Sequence, residues 1–304
     1  RRFVASLVLA ISTGGCSQRE AGPAHRAAAH HPAEDAHAHS ADSHDHAHHH
    51  HPAPTPGRPI PEAGAPVPAL DPPPRYECRK TGEPPQIDGR LDDACWQSAP
   101  VMGPFGDILG PTGPKPPHST RAWMTWDDEY LFIAAEMQEP NVTGWQSERD
   151  SVVYFDNDFE VFIDPDGDGF NYFEIQVNAL NTVFDLFLNR PYNKKGRADR
   201  AWDFAGLRSA VAVEGTLNDP GDTDNGWTAE IAVRWDSFGP MVGLMAPPRA
   251  GDTWRMNFAR VQWPDHIDRG SWDLYKQAEN WSWSPQGEVN MHNPTRWGYV
   301  TFLE

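Results

Sequence analysis

Three aspartates at alternate positions are the groups in this sequence whose spacing most directly suggests chemistry. The segment NDFEVFIDPDGDGFNYFEIQVN (157–178) places Asp164, Asp166 and Asp168 ahead of a glycine. Carboxylates at this spacing open calcium-binding loops of the form D-x-D-x-D-G. A helix–loop–helix site would also need a carboxylate at the twelfth loop position, where Ile175 stands. We therefore predict a hairpin turn between two strands, with a structural calcium ion at the three aspartates as a further expectation.

Polar and apolar residues alternate on the two segments that flank this turn. One face carries Asp158 and Glu160 on the first segment and Glu174, Gln176 and Asn178 on the second. Amide and carboxyl groups bind the hydroxyls of a sugar, and aromatic rings cover its C–H faces. Gln176 and Asn178 are therefore candidate carbohydrate-binding residues. The alternative is that both side chains form hydrogen bonds within the sheet.

The elements that would position these groups are strands. Short segments rich in β-branched and aromatic residues recur from residue 120 onward, separated by Gly, Pro, Asp and Asn. Only 91–97 and 235–239 have the pattern of a helical turn. We predict an all-β fold, with a single antiparallel β-sandwich domain at 75–304. The expected strands are 121–126, 130–137, 159–164, 172–180, 182–188, 209–216, 226–235, 253–263 and 297–303.

The residues before this domain have a different composition. Residues 1–16 combine an arginine pair, an apolar run and small residues, which is the layout of an export signal. Cys16 at its end predicts a lipoprotein signal, and a plain secretory signal is the alternative. Residues 17–74 contain no Trp, Phe, Tyr or Cys, so we expect a disordered linker, His-rich and then Pro-rich. The chain is thus expected at the bacterial cell envelope, with the lipid anchor as its membrane contact, or outside the cell.

Eleven of the fourteen histidines lie within residues 25–51. Imidazole is a ligand for zinc, copper and nickel, and the irregular spacing predicts labile binding at many positions instead of one closed site. The alternative is a solvated tether that binds no metal. The densest run of candidate ligands is His44, His46, His48, His49, His50 and His51.

The folded part of the chain is strongly acidic. The whole sequence has a formal net charge of −18, and residues 75–304 hold 20 Lys and Arg against 36 Asp and Glu. Such a surface repels phosphate backbones, which argues against nucleic acid as a partner. Neutral, hydroxyl-rich or cationic partners fit it better.

Two cysteines lie in the part of the chain expected to fold. After export, Cys78 and Cys95 would be in an oxidising compartment, where disulfides form. A bond between them would tie the first strand to the short helical segment LDDACW (91–96). Two buried free thiols are the alternative.

Several motifs occur in the order found in a known family. Together they resemble the family 9 carbohydrate-binding modules, and more closely the bacterial carbohydrate-binding family 9-like proteins, which have a DOMON-like β-sandwich. The resemblance covers about 77–303. The motifs are IDGRLDDACW (87–96), TWDDEYLFIAAEMQEP (125–140), NDFEVFIDPDGDGFNYFEIQVNALNTVFDL (157–186), GWTAEIAVRW (226–235) and NWSWSPQGEVNMHNPTRWGYV (280–300).

The resemblance implies a β-sandwich that holds a sugar between aromatic side chains, with calcium in a structural role. By position, Tyr154 corresponds to one aromatic wall, and Gln176 and Asn178 lie on the strand that supplies polar contacts. The better-known sugar-binding members have a tryptophan as the second wall. In that neighbourhood this sequence has Met291 and His292, with Trp281 and Trp283 nearby as candidate exposed platforms.

The sequence thus favours a non-catalytic protein that binds oligo- or polysaccharide, requires no cofactor and supports enzymes that degrade xylan or other polysaccharides. A first alternative is an envelope scaffold that buffers zinc or copper through its His-rich linker. A second is a glycoside hydrolase with Glu160 and Glu174 as its carboxyl pair. The sequence shows no nucleophile elbow, metal-ligand motif or phosphate loop for an enzyme. A third alternative is haem binding through the Met-His pair at 291–292.

Overall fold

A computed structural model describes residues 69–239, 247–263 and 278–304. Segments rich in β-branched and aromatic residues form strands, because alternate side chains then reach a core on one face. One α-helix, α1 (Ala94–Ser98), and several short 3-10 helices are described with them. The described strands are β1 (Arg75–Arg79), β2 (Gly106–Asp107), β3 (Thr120–Trp126), β4 (Tyr130–Gln138), β5 (Asp158–Asp164), β6 (Tyr172–Asn178), β7 (Val183–Leu188), β8 (Ala198–Asp199), β9 (Arg208–Glu214), β10 (Gly226–Arg234), β11 (Thr253–Gln262), β12 (Glu279–Ser282) and β13 (Gly298–Leu303).

These strands form two sheets. The larger sheet has the order β1-β13-β11-β5-β6-β7-β8, and β12 and β2 extend it beside β11. The smaller sheet has the order β3-β4-β10-β9. Among the described strands, β1 and β13 pair in parallel and the other pairs are antiparallel. The predicted all-β sandwich is confirmed, with this parallel pair as a detail that the sequence did not predict.

The core lies between the two sheets and is rich in aromatic side chains. Trp126 and Trp254 meet Phe302 edge to face, with ring centroids 5.8 and 5.1 Å apart. Phe159 and Phe258 on neighbouring strands stack at 6.2 Å. Full burial of a large apolar side chain stabilises a fold by about 1.5–3 kcal/mol. The burial of these rings therefore stabilises the packing of the two sheets, including the larger sheet that carries the candidate site.

The hairpin predicted at DPDGDG joins β5 to β6. Gly167 and Gly169 have φ angles of +71° and +82°, which glycine adopts without a side-chain clash. The carboxylate of Asp164 accepts hydrogen bonds from the N–H groups of both glycines, at 3.1 and 2.9 Å. With the turn fixed in this way, the strand register places Glu160 opposite Gln176.

The segment 87–96 covers the outer face of the smaller sheet. Glu230 on β10 is fully buried beneath it. The carboxylate of Glu230 accepts hydrogen bonds from Nε1 of Trp96 at 2.7 Å and from the N–H of Gly89 at 2.8 Å. A Cβ atom at Gly89, where φ is +85°, would lie 2.6 Å from the backbone carbon of Val211. This motif is therefore structural, and it closes the outer face of the smaller sheet.

Cys78 and Cys95 are free thiols, and both are buried. Cys78 faces the core between the sheets, whereas Cys95 packs on the outer face of the smaller sheet beside Trp96 and Phe132. The smaller sheet thus separates them, whereas a disulfide needs Cα atoms within about 7 Å. The disulfide expectation is wrong, and the alternative of two buried free thiols is what the structure has.

Several predictions from the N-terminal sequence fall outside the described residues. They concern the export signal at 1–16 with Cys16, most of the linker at 17–74, and the histidines from His44 to His51. All of them stay predictions. In the ranges that the structure describes, no helix has both the length and the apolar character needed to span a membrane.

Candidate functional site

The outer face of the larger sheet carries a row of buried polar side chains, here called the polar floor. It consists of Asp158 and Glu160 on β5 and Glu174 and Gln176 on β6. These side chains are at most 4% exposed, although they point away from the core. The 3-10 turn Val153–Phe155 contacts β6 from the loop side and helps to cover them. Buried polar groups in such a row need partners, so the bonding of each one is informative.

Gln176 connects the polar floor to the loop above it. Its Nε2 donates a hydrogen bond of 2.6 Å to Oε1 of Glu174. Its Oε1 accepts a hydrogen bond of 3.1 Å from the backbone N–H of Tyr154. Gln176 therefore orients a floor carboxyl and an aromatic loop residue at the same time.

Two carboxylate oxygens of the floor have no hydrogen-bond donor among the described residues. They are Oδ2 of Asp158 and Oε2 of Glu160. The other oxygen of Asp158 accepts a hydrogen bond from the N–H of Val261 at 3.2 Å. Leaving a buried polar group unpaired costs about 1–3 kcal/mol, and more if the group is charged. A donor that reached either oxygen would complete its bonding.

Burial raises the pKa of all three floor carboxyls. The pKa of Glu174 rises to about 7 for this reason. The pKa of Glu160 is raised first by burial and then by the neighbouring Asp158 and Glu174, because like charges oppose ionisation. Burial is also the main cause of the raised pKa of Asp158. Near neutral pH the floor can thus both donate and accept hydrogen bonds.

His292 lies at the edge of the polar floor, within a group of aromatic rings. Its Nδ1 is 3.1 Å from the hydroxyl of Tyr172, and its Nε2 is 3.8 Å from Oε2 of Glu174. The ring of Tyr192 stands edge-on to it at 4.6 Å between centroids. Phe162 contacts it in the same manner at 5.6 Å. His292 therefore joins the floor to the loop that contains Tyr192.

Met291 does not form the second wall of a sugar site, because its side chain is buried. Its side chain is 8% exposed and packs in the cluster that includes Phe162 and Trp297. Its carbonyl oxygen accepts a hydrogen bond from Nε1 of Trp297 at 2.8 Å. Of the two residues predicted at the second wall, His292 is half-buried and faces the floor. Met291 is buried among apolar side chains next to it.

Three aromatic residues lie in the loop that precedes β5. Tyr154 is half-buried, and its ring lies 5.0 Å from that of Phe155, which is 37% exposed. Trp145 is 46% exposed, and its backbone N–H donates to Oδ2 of Asp156 at 2.7 Å. Tyr154 was predicted from the sequence, whereas Trp145, Phe155 and Tyr192 were missed. The sequence feature that could have identified the missed residues is an aromatic residue within a short polar loop.

Asn178 has a structural role that uses its whole amide. Its Nδ2 donates to the carbonyl of Gln146 at 2.8 Å and to Oδ2 of Asp156 at 2.9 Å. Its Oδ1 accepts from the N–H groups of Leu180 and Thr182 at 3.0 and 2.9 Å. Asn178 therefore holds the turn between β6 and β7. These bonds lead to loop residues and not across the sheet, and they occupy the amide that was predicted to contact a ligand.

Trp281 and Trp283 are not exposed platforms. Trp281 is 1% exposed and pairs with Arg260 on β11, whose guanidinium lies 4.9 Å from its ring centroid on the core side of the sheet. Trp283 is half-buried, and its ring lies 5.8 Å from that of Phe258. A Cβ atom at Gly298 would come within 2.2 Å of the ring of Trp283. Both tryptophans belong to the core, and the platform prediction is wrong.

The three aspartates of the hairpin do converge. Each of Asp164, Asp166 and Asp168 offers a carboxylate oxygen, and these oxygens lie within 4.8 Å of one another. Burial raises the pKa of Asp164 to about 7. Clustered oxygen ligands suit calcium, although the same oxygens already accept backbone N–H groups of the turn. Calcium binding here stays a prediction.

Comparison with known proteins identifies the family. The family model described as "Carbohydrate family 9 binding domain-like" matches residues 87–304. The chain belongs to this family. The resemblance seen in the sequence is confirmed, and the match includes the whole polar floor. Because this is a family of binding modules, it gives no support to the glycoside hydrolase alternative.

Individual similar proteins were also found. Exoglucanase XynX from Acetivibrio thermocellus is 26% identical over 155 residues, which are 51% of this chain and 12% of that protein. The crystal structure of a "putative carbohydrate-binding protein" from Bacteroides uniformis superimposes with a TM-score of 0.56 at 15% identity, over 75% of this chain and 99% of that one. A family 9 module from Caldicellulosiruptor kristjanssonii, in complex with cellotriose, has a TM-score of 0.49 at 15% identity, over 75% and 93% of the two chains. The Bacteroides structure supports the β-sandwich fold.

Proposed function

We propose that this protein binds oligosaccharides at the polar floor, without catalysing their cleavage. The observation that carries the proposal is the carboxyl of Glu160, which is almost fully buried and has an oxygen with no donor among the described residues. A sugar hydroxyl is a suitable donor for this oxygen. Membership of a carbohydrate-binding family supports the same conclusion.

Three floor residues and two aromatic rings have distinct parts in this proposal. Glu160 and Glu174 would bind hydroxyls directly, and Gln176 would hold Glu174 in place through its 2.6 Å hydrogen bond. The half-buried rings of Tyr154 and Tyr192 would cover the C–H faces of the sugar. A site of this kind binds the ligand from below by hydrogen bonds and from the sides by ring contacts.

The carboxyls of the floor fit binding better than glycoside hydrolysis. Hydrolases need one carboxyl that stays protonated and a second that is ionised, so their environments push the two pKa values apart. Here burial raises the pKa of both Glu160 and Glu174. Neither environment therefore favours the ionised form that a nucleophile or general base needs.

We place the protein at the cell envelope, where its linker would hold the domain away from a lipid anchor at Cys16. The support is the signal-like composition of residues 1–16 and the Pro-rich composition of residues 52–74. Metabolic labelling of the expressed chain with palmitate tests the anchor. We expect label in the membrane fraction and its loss in Cys16→Ala; label that persists in the variant would contradict the assignment.

Calorimetric titration of the full chain with cellotriose, xylotriose and other neutral oligosaccharides tests the binding function. We expect Tyr154→Ala to weaken binding at least about tenfold, since an aromatic contact contributes about 0.5–1.5 kcal/mol beyond its buried area. Trp123→Ala is the matched control, because Trp123 is also half-buried but lies on the outer face of the smaller sheet. No heat with any oligosaccharide from a folded protein would refute the proposed function.

A further inference from the structure

The polar floor contains more acidic groups than its described surroundings neutralise. Asp158, Glu160 and Glu174 are each at most 4% exposed. Among the described residues, the basic group within ion-pair distance of them is His292, at 3.8 Å from Glu174. Arg260 lies on the core side of the sheet and is paired there with Glu139, and its charge offsets only part of the effect of burial on the pKa of Asp158. Buried carboxyls without cations are costly, because low dielectric strengthens their mutual repulsion.

The two oxygens without donors belong to neighbouring positions on one strand. Oδ2 of Asp158 and Oε2 of Glu160 come from β5 residues two apart, whose side chains share one face of the strand. Because they share one face, a single group with several donors is a candidate partner for both oxygens. A hydroxyl has one donor and no charge, whereas an ammonium has three donors and a positive charge.

From these observations we propose that the preferred ligand of the floor is an amino sugar whose protonated amine binds between Asp158 and Glu160. The inference rests on the proposed carbohydrate-binding function and specifies the chemical class of the sugar. The ammonium would supply donors to both unpaired oxygens, and its positive charge would favour the ionised form of carboxyls whose pKa is raised by burial. Charge-assisted hydrogen bonds are about twice as strong as neutral ones. An ammonium would therefore bind more tightly than a hydroxyl at this position.

A metal ion fits the floor less well than an ammonium. Within the described ranges, carboxylate groups that could bring three ligand atoms within 4.8 Å occur at the β5–β6 hairpin and around Asp185, and the floor is not among them. Inner-sphere binding of a divalent ion in a protein site usually takes several oxygen ligands at short distance. An ammonium needs only hydrogen-bond distances to each oxygen.

The basic loop 190–200 does not neutralise the floor in the way a ligand amine would. Its cations are exposed, and two of them lie over aromatic rings: Lys194 over Phe170 at 5.5 Å and Arg200 over Phe184 at 5.1 Å. Exposed charges are screened by water and salt, whereas buried ones are not. The loop would shape the rim of the site and leave the charge of the floor uncompensated.

Three trisaccharides that differ only at the C2 substituent test the inference. They are β-1,4-linked trisaccharides of glucose, of glucosamine and of N-acetylglucosamine, titrated into the full chain at several pH values between about 5 and 8, so that the C2 amine is compared in its protonated and neutral forms. We expect the glucosamine trisaccharide to bind about tenfold more tightly than cellotriose. The N-acetylated form has lost the charge and should bind no more tightly than cellotriose.

The charge contribution of Glu160 is tested by Glu160→Gln, which keeps the shape of the side chain. We expect the ratio of glucosamine to glucose trisaccharide affinities to fall close to one. Glu214→Gln removes an exposed carboxyl on the smaller sheet and should leave the ratio unchanged, which controls for attraction to an acidic protein in general. A ratio that survives Glu160→Gln would overturn the inference.

The outcomes separate the two proposals. Cellotriose that binds as tightly as the glucosamine trisaccharide would overturn the amino-sugar inference and leave the carbohydrate-binding function standing. If none of the three trisaccharides binds and no neutral oligosaccharide of the wider panel does, the proposed function fails, and the inference fails with it.

Discussion

The side-chain oxygen of Gln176 accepts a 3.1 Å hydrogen bond from the backbone N–H of Tyr154. This contact joins the centre of a strand to the 3-10 turn above it, while the same amide donates to Glu174. One side chain thus sets the height of an aromatic ring over the floor and the orientation of a floor carboxyl. Tyr154 and Glu174 are both proposed to contact the sugar. Because Gln176 bonds to both of them, the geometry of the site depends on Gln176.

Replacing Gln176 by leucine should weaken both oligosaccharide binding and the stability of the fold. The variant keeps a similar volume but loses both hydrogen bonds, each worth about 0.5–1.5 kcal/mol. We expect oligosaccharide affinity to fall about tenfold in titration calorimetry, with a loss of about 1–2 kcal/mol in the free energy of unfolding. Gln97→Leu on α1 removes an exposed amide and serves as the control. Unchanged affinity in Gln176→Leu would show that the amide does not position the site.

Stability should decrease as the pH rises through neutrality. The pKa of Glu174 is raised from its ordinary 4.5 to about 7, so the folded state holds the proton more tightly than the unfolded state. Stability from this proton is fully present below pH 4.5 and is lost as the pH rises through about 7. The raised pKa values of Asp164, about 7, and Asp185, about 6, act in the same direction.

Urea denaturation of the full chain at several pH values between about 5 and 8 measures this effect. We expect the midpoint to fall across that range, and Glu174→Gln to reduce the slope because glutamine does not titrate. A midpoint that rises with pH would mean that the floor carboxyls are stabilised as anions.

The IDGR motif gives a test of the fold alone. Alanine at Gly89 would bring a Cβ atom within 2.6 Å of the backbone of Val211, at a residue whose φ is +85°. We expect Gly89→Ala to cost about 2–4 kcal/mol of unfolding free energy. Gly82 has no atom within 4 Å of the corresponding position, so Gly82→Ala should change stability by less than about 0.5 kcal/mol. Equal effects of the two variants in denaturant titrations would contradict the structural role of segment 87–96.

Calcium should stabilise the hairpin if it binds at the three aspartates. Thermal unfolding with and without excess calcium measures the shift, and magnesium is the control because it demands a smaller octahedral site. We expect calcium to raise the melting temperature more at about pH 8 than at about pH 6, since Asp164 has a pKa of about 7 and must lose its proton. Asp166→Asn with Asp168→Asn should abolish the shift. A shift that persists in the double variant would place the ion elsewhere.

Strand positions were predictable because one face of each strand must be apolar. The period-two pattern at 226–235 corresponds to β10 (Gly226–Arg234), and the turn at DPDGDG has the glycines that its φ angles require. The pairing of β1 with β13 was not predictable, since it joins opposite ends of the domain. Local sequence carries no information about such a contact.

The site was predicted in part. The floor residues share the face that alternation indicated, but burial of Trp281 depends on its register with Arg260. That register is set by tertiary pairing between β11 and β12, so the motif WSWSP could not reveal it. Asn178 is a similar case, because its four hydrogen bonds lead to loop residues that only the fold brings near.

The structure of the protein in complex with cellotriose is the most direct test of the central claim. We predict a sugar ring on the outer face of the larger sheet, beside Tyr154, with a hydroxyl within hydrogen-bond distance of Oε2 of Glu160. A sugar bound on the smaller sheet or at another edge of the sandwich, with Glu160 still unpaired, would contradict it.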